Sequence, residues 1–159
     1  GMDSEIAKLI AKLEIQRREA MDFLLTLSDN QLGLSYTDSS QGEEGSFTIR
    51  RLIHRISTHH YDHLQHILKE RRNIENPRSE TARGLAEIQV ARAELIAALI
   101  GLSNEDLEQD ISHGEELGNL EPRSDSPPNY TLRRLVEHVV EMEEMRLGHI
   151  RQALEGGNT

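Results

Sequence analysis

Apolar residues recur at helical spacing over most of the chain, and this pattern predicts four long helices. The first helix follows Ser4, a residue type that often caps helix N-termini, and continues to about residue 28. Its apolar positions are Ile6, Leu9, Ile10, Leu13, Ile15, Met21, Leu24, Leu25 and Leu27. The next segment, SDNQLGLSYTDSSQGEEGS, is rich in Ser, Asp and Gly and has no sustained period. We predict a long loop that opens with a short turn at residues 29–32.

Two further helices are predicted between this loop and Gly101. The second helix spans about residues 47–73, and its inner side carries Ile49, Leu52, Ile53, Ile56, Leu64, Ile67 and Leu68. Pro77 ends it, because proline lacks a backbone N–H and its ring clashes with the preceding turn. Ser79 is predicted to cap the third helix. The apolar positions of that helix are Leu85, Ile88, Leu95, Ile96, Leu99 and Ile100.

A second long loop and a fourth helix complete the chain. The loop covers about residues 103–129, is acidic, and contains Pro122, Pro127 and Pro128. The fourth helix is predicted to begin near Thr131 and to end before the Gly156–Gly157 pair. Four long helices joined by a long, a short and a long connection predict an all-α four-helix bundle.

Two internal alignments relate the first half of the chain to the second. Residues 17–32 align with residues 92–107 at an offset of 75, and 6 of 16 positions are identical. Residues 46–68 align with residues 129–151 at an offset of 83, with 7 of 23 identical. The shared LSxxxL turn and the shared TxRRL helix start do not follow from apolar periodicity alone. The repeat predicts two helix hairpins related by an approximate two-fold axis.

Composition and charge narrow the function classes. Aromatic residues make up only 3% of the 159 residues, which argues against an all-β fold. The absence of cysteine excludes disulfides, thiolate nucleophiles and cysteine-bound zinc. A net charge of −10 argues against nucleic acid and against anionic membranes as partners. With no apolar stretch long enough to span a bilayer and no secretory signal, we expect a cytoplasmic protein.

Histidines concentrate in the second predicted helix. Five of the eight lie within thirteen residues: His54, His59, His60, His63 and His66. His59 and His63 are four residues apart, so their rings project from one helix face and can meet a single ion. In a bundle, a facing helix usually supplies a further ligand. His54, His60 and His66 are interpreted as structural, because they lie at the flanks of this face.

The chain resembles the DinB-like (DinB/YfiT) superfamily of four-helix bundles over its whole length, so residues 1–159 are expected to form a single domain. The resemblance rests on helix lengths, the long loop before the second helix, the S/T-hydrophobic-R-hydrophobic starts of the second and fourth helices, and an ending similar to HxxxHxxxH-x-G-x-I. The family usually holds a divalent metal on three histidines. The matching positions here are Arg55, Met142 and Arg146, and the intact Gly148 and Ile150 set this alignment. Arginine cannot bind a cation, so the usual site is expected to be absent.

The internal repeat suggests a mirrored metal site. At the offset of 83, Met142 corresponds to His59, Arg146 to His63, and Arg55 to His138. We therefore predict a site formed by His59, His63 and His138 that holds Zn²⁺ or Ni²⁺ and lowers the pKa of a bound water or thiol. Glu141, one turn after His138, is a candidate fourth ligand or a hydrogen-bonding partner of the site.

The resemblance implies a metal-dependent enzyme, either a transferase that uses a low-molecular-weight thiol or a metal-assisted hydrolase. It also implies a homodimer. The alternative is a non-catalytic bundle that has lost its metal site and acts in dimerisation or partner binding. Stoichiometric metal content would discriminate between the two.

Arginine pairs begin the second and fourth predicted helices, where the helix dipole disfavours cations. They are Arg50–Arg51 and Arg133–Arg134. One interpretation is that these arginines pair with loop acids such as Glu43, Glu44 and Asp125. The other is that an arginine pair binds the carboxylate or phosphate of a small anionic substrate. The family alignment also predicts that Arg55 and Arg146 face inward, where they need acidic partners, and the candidates are Asp62, Glu141 and Glu144.

Overall fold

The computed structural model describes residues 3–37, 45–110 and 131–157. Helices dominate these residues, which confirms the all-α class. In chain order the elements are α1 (Ser4–Leu24), a 3-10 turn (Asp29–Gln31), β1 (Ser35–Thr37), β2 (Ser46–Thr48), α2 (Ile49–Asn73), α3 (Glu80–Leu99), α4 (Asn104–Glu108) and α5 (Leu132–Gly156). Among the helices in these ranges, none is both long and apolar enough to cross a membrane.

The chain divides into two compact units. One is Gly1–Ile96 and the other Ala97–Thr159. In the first unit, α1 and α3 together line a shallow groove formed by Glu14, Arg17, Gln89, Arg92, Ala93 and Ile96. No apolar side chain of the described residues is buried. The joining of both hairpins into one bundle, and the single domain over 1–159, stay predictions.

Helix α1 is shorter than its apolar pattern indicates. Its cap is Asp3, whose carboxylate accepts a hydrogen bond from the Glu5 N–H at 2.9 Å, so the predicted Ser4 cap is wrong by one residue. Aspartate and serine cap helices about equally well, and the apolar pattern does not distinguish them. At the other end, the Thr26 N–H donates to the Phe23 carbonyl rather than to residue 22. This tighter 3-10 bonding ends the α-helix at Leu24, although apolar residues continue to Leu27.

A small β-hairpin precedes α2, where the sequence predicted only a loop. Strands β1 and β2 pair antiparallel, with Tyr36 opposite Phe47. The hairpin continues directly into the helix, because the Ile49 N–H donates to the Leu34 carbonyl at 2.8 Å. Phe47 and Thr48 are therefore extended, and α2 begins at Ile49 rather than at residue 47.

The turn between α2 and α3 is held by an arginine at the end of α2. Arg71 donates from Nε to the Asn76 carbonyl at 2.7 Å and from Nη2 to the Pro77 carbonyl at 3.3 Å. Glu75 adopts a φ of 57°, the left-handed conformation that reverses the chain. After Pro77, the Ser79 hydroxyl accepts a hydrogen bond from the Ala82 N–H at 3.1 Å. The predicted helix start at Ser79 is confirmed.

The repeated LSxxxL turns have similar local structures in the two units. The Ser28 N–H donates to Gln31 Oε1 at 2.9 Å, and the Ser103 N–H donates to Asp106 Oδ2 at 2.8 Å. Each bond joins the residue before a short helical turn to the third residue of that turn, as in a capping box. In the second unit the turn is the short helix α4, which lies inside the predicted second loop.

The repeated TxRRL helix starts are also alike. Thr48 Oγ1 accepts a hydrogen bond from the Arg51 N–H at 3.2 Å, and Thr131 Oγ1 accepts one from the Arg134 N–H at 3.1 Å. Both threonines have the extended backbone of an N-cap residue. The predicted start of the fourth long helix, α5, near Thr131 is confirmed, and this helix includes Gly156. The repeat is thus visible in hydrogen bonding as well as in sequence.

Candidate functional site

Two histidines of α2 lie against each other, as their spacing predicts. Nε2 of His59 and Nε2 of His63 are 3.0 Å apart. The ring centroids are 4.4 Å apart with an interplanar angle of 78°. Four residues of α-helix advance about 6 Å along the axis and return to nearly the same face, which places the two rings together. We refer to His59 and His63 as the histidine pair.

The separation of the two nitrogens suits one shared cation. Zinc binds imidazole nitrogen at 2.0–2.1 Å, which places two ligating nitrogens about 3.3–3.4 Å apart at the tetrahedral angle and about 2.9 Å apart at a right angle. The 3.0 Å separation falls between these values. Neutral imidazoles share a proton in such a contact, one ring donating and the other accepting. The spacing of these two nitrogens is therefore compatible with two of the three ligands of the predicted metal site.

The flanking histidines differ from the pair in their contacts. His60 donates from Nδ1 to the Ile56 carbonyl of its own helix at 2.6 Å. His66 stacks near His63, but the ring centroids are 6.3 Å apart, well beyond the distance within the pair. The backbone bond of His60 supports the structural interpretation made from its flank position.

The third predicted ligand, His138, is on α5 in the second unit. Within the described ranges, no group of three or more His, Asp or Glu side chains is gathered as a metal site would require. The structure therefore brings together His59 and His63, and His138 stays a predicted ligand.

Glu141, the candidate fourth ligand, is held by arginine. Arg134 donates from Nη1 to Oε1 at 2.8 Å and from Nη2 to Oε2 at 3.1 Å, and this bidentate pair uses both carboxylate oxygens. The hydrogen bonds from Arg134 lower the pKa of Glu141, and the nearby His138 contributes to the same shift. Glu137 lies 3.6 Å from the same guanidinium. Glu141 is thus placed to neutralise Arg134, a role that the metal hypothesis did not assign to it.

The arginines at the start of α5 pair with acids, as one of the two interpretations predicted. Arg133 donates from Nε to Glu108 of α4 in a close ion pair. Glu108 belongs to the acidic loop region of the sequence, but it was not among the acids named for this role. The three that were named, Glu43, Glu44 and Asp125, lie outside the described residues.

The arginines at the start of α2 are arranged differently. The guanidinium carbons of Arg51 and Arg55 lie 4.8 and 4.9 Å from the centroid of the Phe47 ring, within the range of cation–π contact. Among the described residues neither makes an ion pair, and the predicted contact between Arg55 and Asp62 is not formed. We call Phe47, Arg51 and Arg55 the arginine–phenylalanine cluster. Sequence reasoning missed it, because Phe47 lies in β2 and only the spacing from Arg51 to Arg55 is a helical one.

A shallow groove on α2 joins the cluster to the histidine pair. Its lining residues are Leu52, Arg55, Ile56, Thr58, His59 and Asp62. Arg55 and His59 are one helical turn apart, about 6 Å along the axis. The groove thus presents the Arg55 guanidinium, the His59 imidazole and the Asp62 carboxylate together with the apolar side chains of Leu52 and Ile56.

Comparisons with known proteins add no relative to this description. Compared with protein-family models, with curated proteins and with solved structures, the chain matches none.

Proposed function

We propose that this protein is a divalent-metal-dependent enzyme of the DinB-like kind, and that the histidine pair of α2 supplies two of its metal ligands. The observation that carries this proposal is the 3.0 Å contact between the Nε2 atoms of His59 and His63. His138 is proposed as the third ligand, on the basis of the internal repeat. Zn²⁺ and Ni²⁺ both accept imidazole ligands.

A bound divalent ion would supply Lewis acidity, which favours the ionised form of a water or thiol at neutral pH. The protein's own contribution is to hold two imidazoles at a fixed spacing on a 25-residue helix. Because a metal would bind the lone pairs of both Nε2 atoms, the proton between them would move to Nδ1 of its own ring, and added acid would oppose binding by protonating the imidazoles. The proposed reactions are a group transfer that uses a low-molecular-weight thiol and metal-assisted hydrolysis.

The second candidate is a non-catalytic bundle that pairs with another copy of itself or with a partner. Exposed apolar side chains at helical spacing on α1 favour it: Ile6 is 49% exposed, Leu9 56%, Ile10 42% and Leu13 64%. They form one stripe on the helix, and a contiguous exposed apolar surface commonly marks an interaction site. This candidate requires no metal, so metal binding separates the two.

Zinc titration of tag-free protein by calorimetry tests the proposal. We expect about one Zn²⁺ per chain, and we expect His63→Ala to weaken binding at least about tenfold, because one imidazole of the pair is lost. His66→Ala is the matched control, since it removes a neighbouring imidazole and leaves the pair intact. His138→Ala tests the third ligand separately. Equal affinity in wild type, His63→Ala and His66→Ala would contradict the role of the pair, and no binding at all would favour the non-catalytic candidate.

A further inference from the structure

The two long helices with TxRRL starts differ in how their arginines are neutralised. On α5, Arg133 pairs with Glu108 and Arg134 forms a bidentate pair with Glu141. On α2, Arg51 corresponds to Arg134 in the repeat, yet it contacts the face of an aromatic ring. Among the residues that the structure describes, Arg51 and Arg55 of α2 have no acidic partner, whereas Arg133 and Arg134 of α5 have completed ion pairs.

The arginine–phenylalanine cluster gathers positive charge at one spot. Both guanidiniums lie close to one ring centroid, so they are at most about 10 Å apart. Two like charges one helical turn apart repel each other, and the first turn of a helix disfavours cations as well. Both guanidinium carbons lie over the Phe47 ring, and among the described residues no acid pairs with either arginine, so their N–H groups are available to a ligand. These N–H groups donate the hydrogen bonds by which arginine binds carboxylate and phosphate oxygens.

We infer that Arg51 and Arg55 bind the oxyanion, carboxylate or phosphate, of a small-molecule substrate whose reacting end lies at the histidine pair. The groove lined by Arg55 and His59 supplies the path between the two ends, and Leu52 and Ile56 give it apolar walls. The inference deepens the proposed function and rests on it for the position of the reacting end. The anion site itself depends only on the cluster.

Phe47 has a defined part in this arrangement. It precedes the N-cap Thr48 and is fixed in β2, opposite Tyr36 of β1. The hairpin therefore holds the ring beside the first turns of α2, and the ring holds both guanidiniums near the groove. Phe47 is a positioning residue, whereas Arg51 and Arg55 contact the anion.

Titration with inorganic phosphate and, separately, with succinate tests the anion site and identifies which oxyanion it prefers. Binding is followed by NMR of the metal-free full chain at constant ionic strength. We expect saturable binding of at least one probe, weakened about tenfold by Arg55→Gln and by Arg51→Gln, since each removes charge-assisted hydrogen bonds. Arg134→Gln, at the position that corresponds to Arg51, is the control and should bind as the wild type does. Arg55→Lys keeps the charge but loses the planar fork, and an intermediate affinity is expected.

Three results would overturn the inference: no saturable binding of either probe, unchanged affinity in Arg51→Gln and Arg55→Gln, or an equal loss in Arg134→Gln. Circular dichroism at 222 nm checks that each variant keeps the helical content of the wild type. If Arg55→Gln fails to fold, the affinity of Arg55→Lys still tests the role of Arg55. Repeating the titration in His63→Ala separates this inference from the proposed function. We expect His63→Ala to lose zinc binding and to keep its affinity for phosphate or succinate.

Discussion

The hydroxyl of Thr48 should be needed to start α2, the helix that carries both parts of the candidate site. In Thr48→Ala, the Arg51 N–H loses the acceptor that lies 3.2 Å away. Removing an N-cap hydroxyl costs about 1 kcal/mol, within a range of about 0.5–2 kcal/mol. The geometry at Thr131 is nearly the same, with a distance of 3.1 Å, so Thr131→Ala should lower the free energy of unfolding by a similar amount.

Urea unfolding followed by circular dichroism measures this effect. For an m value of about 2 kcal/mol/M, a loss of about 1 kcal/mol lowers the midpoint by about 0.5 M. Thr48→Ser and Thr131→Ser keep a capping oxygen and should stay close to the wild type. If the alanine variants unfold at the wild-type midpoint, or if the serine variants lose as much stability as the alanine variants, the capping role derived from the repeat is refuted.

Two further predictions concern the backbone and the response to acid. Gly101 has a φ of 90° with open space around it, so Gly101→Ala should destabilise the protein by about 1 kcal/mol through backbone strain alone. Gly84→Ala, inside α3, should instead stabilise it by about 0.5–1 kcal/mol, and urea unfolding measures both effects. Hydrogen bonds from Ser103 lower the pKa of Asp106, and those from Arg134 lower the pKa of Glu141. A lowered folded-state pKa contributes stability that is present above the ordinary carboxyl pKa and is lost as the pH falls through the lowered value. Asp106→Asn and Glu141→Gln should each flatten the acid limb of stability against pH, and an unchanged limb in both would contradict the two assignments.

Much of the fold follows from local patterns in the sequence, and the exceptions have physical causes. Helices α2 and α3 follow from apolar spacing, from Pro77 and from the capping hydroxyl of Ser79. The start of α2 was placed two residues early because Phe47 and Thr48 pair with β1, which lies about ten residues away in the chain. Three-residue strands are too short to show an alternating pattern, so their pairing depends on contacts that local periodicity does not report.

Some features of the candidate site could likewise be predicted from local sequence patterns, and others could not. The histidine pair could be predicted, because a spacing of four residues on one helix is sufficient to bring two rings together. The pairing of Glu141 with Arg134 could not be predicted, because a carboxylate serves equally well as a metal ligand and as a partner of arginine. Arg134 lies seven residues earlier, two helical turns away, and donates a hydrogen bond to each of the two carboxylate oxygens of Glu141. The cation–π contacts of Arg51 and Arg55 with Phe47 could not be predicted either, because they depend on β2 to hold the ring beside the helix.

The histidine pair can be tested most directly by NMR of protein labelled with ¹⁵N in its histidine rings, followed during addition of Zn²⁺. We predict that the Nε2 signals of His59 and His63 shift together and saturate at about one ion per chain, while His60, whose Nδ1 donates to the Ile56 carbonyl, keeps its signals. Shifts that spread evenly over all five histidines of α2, or that leave His59 and His63 unchanged at one equivalent of Zn²⁺, would contradict metal binding by the histidine pair.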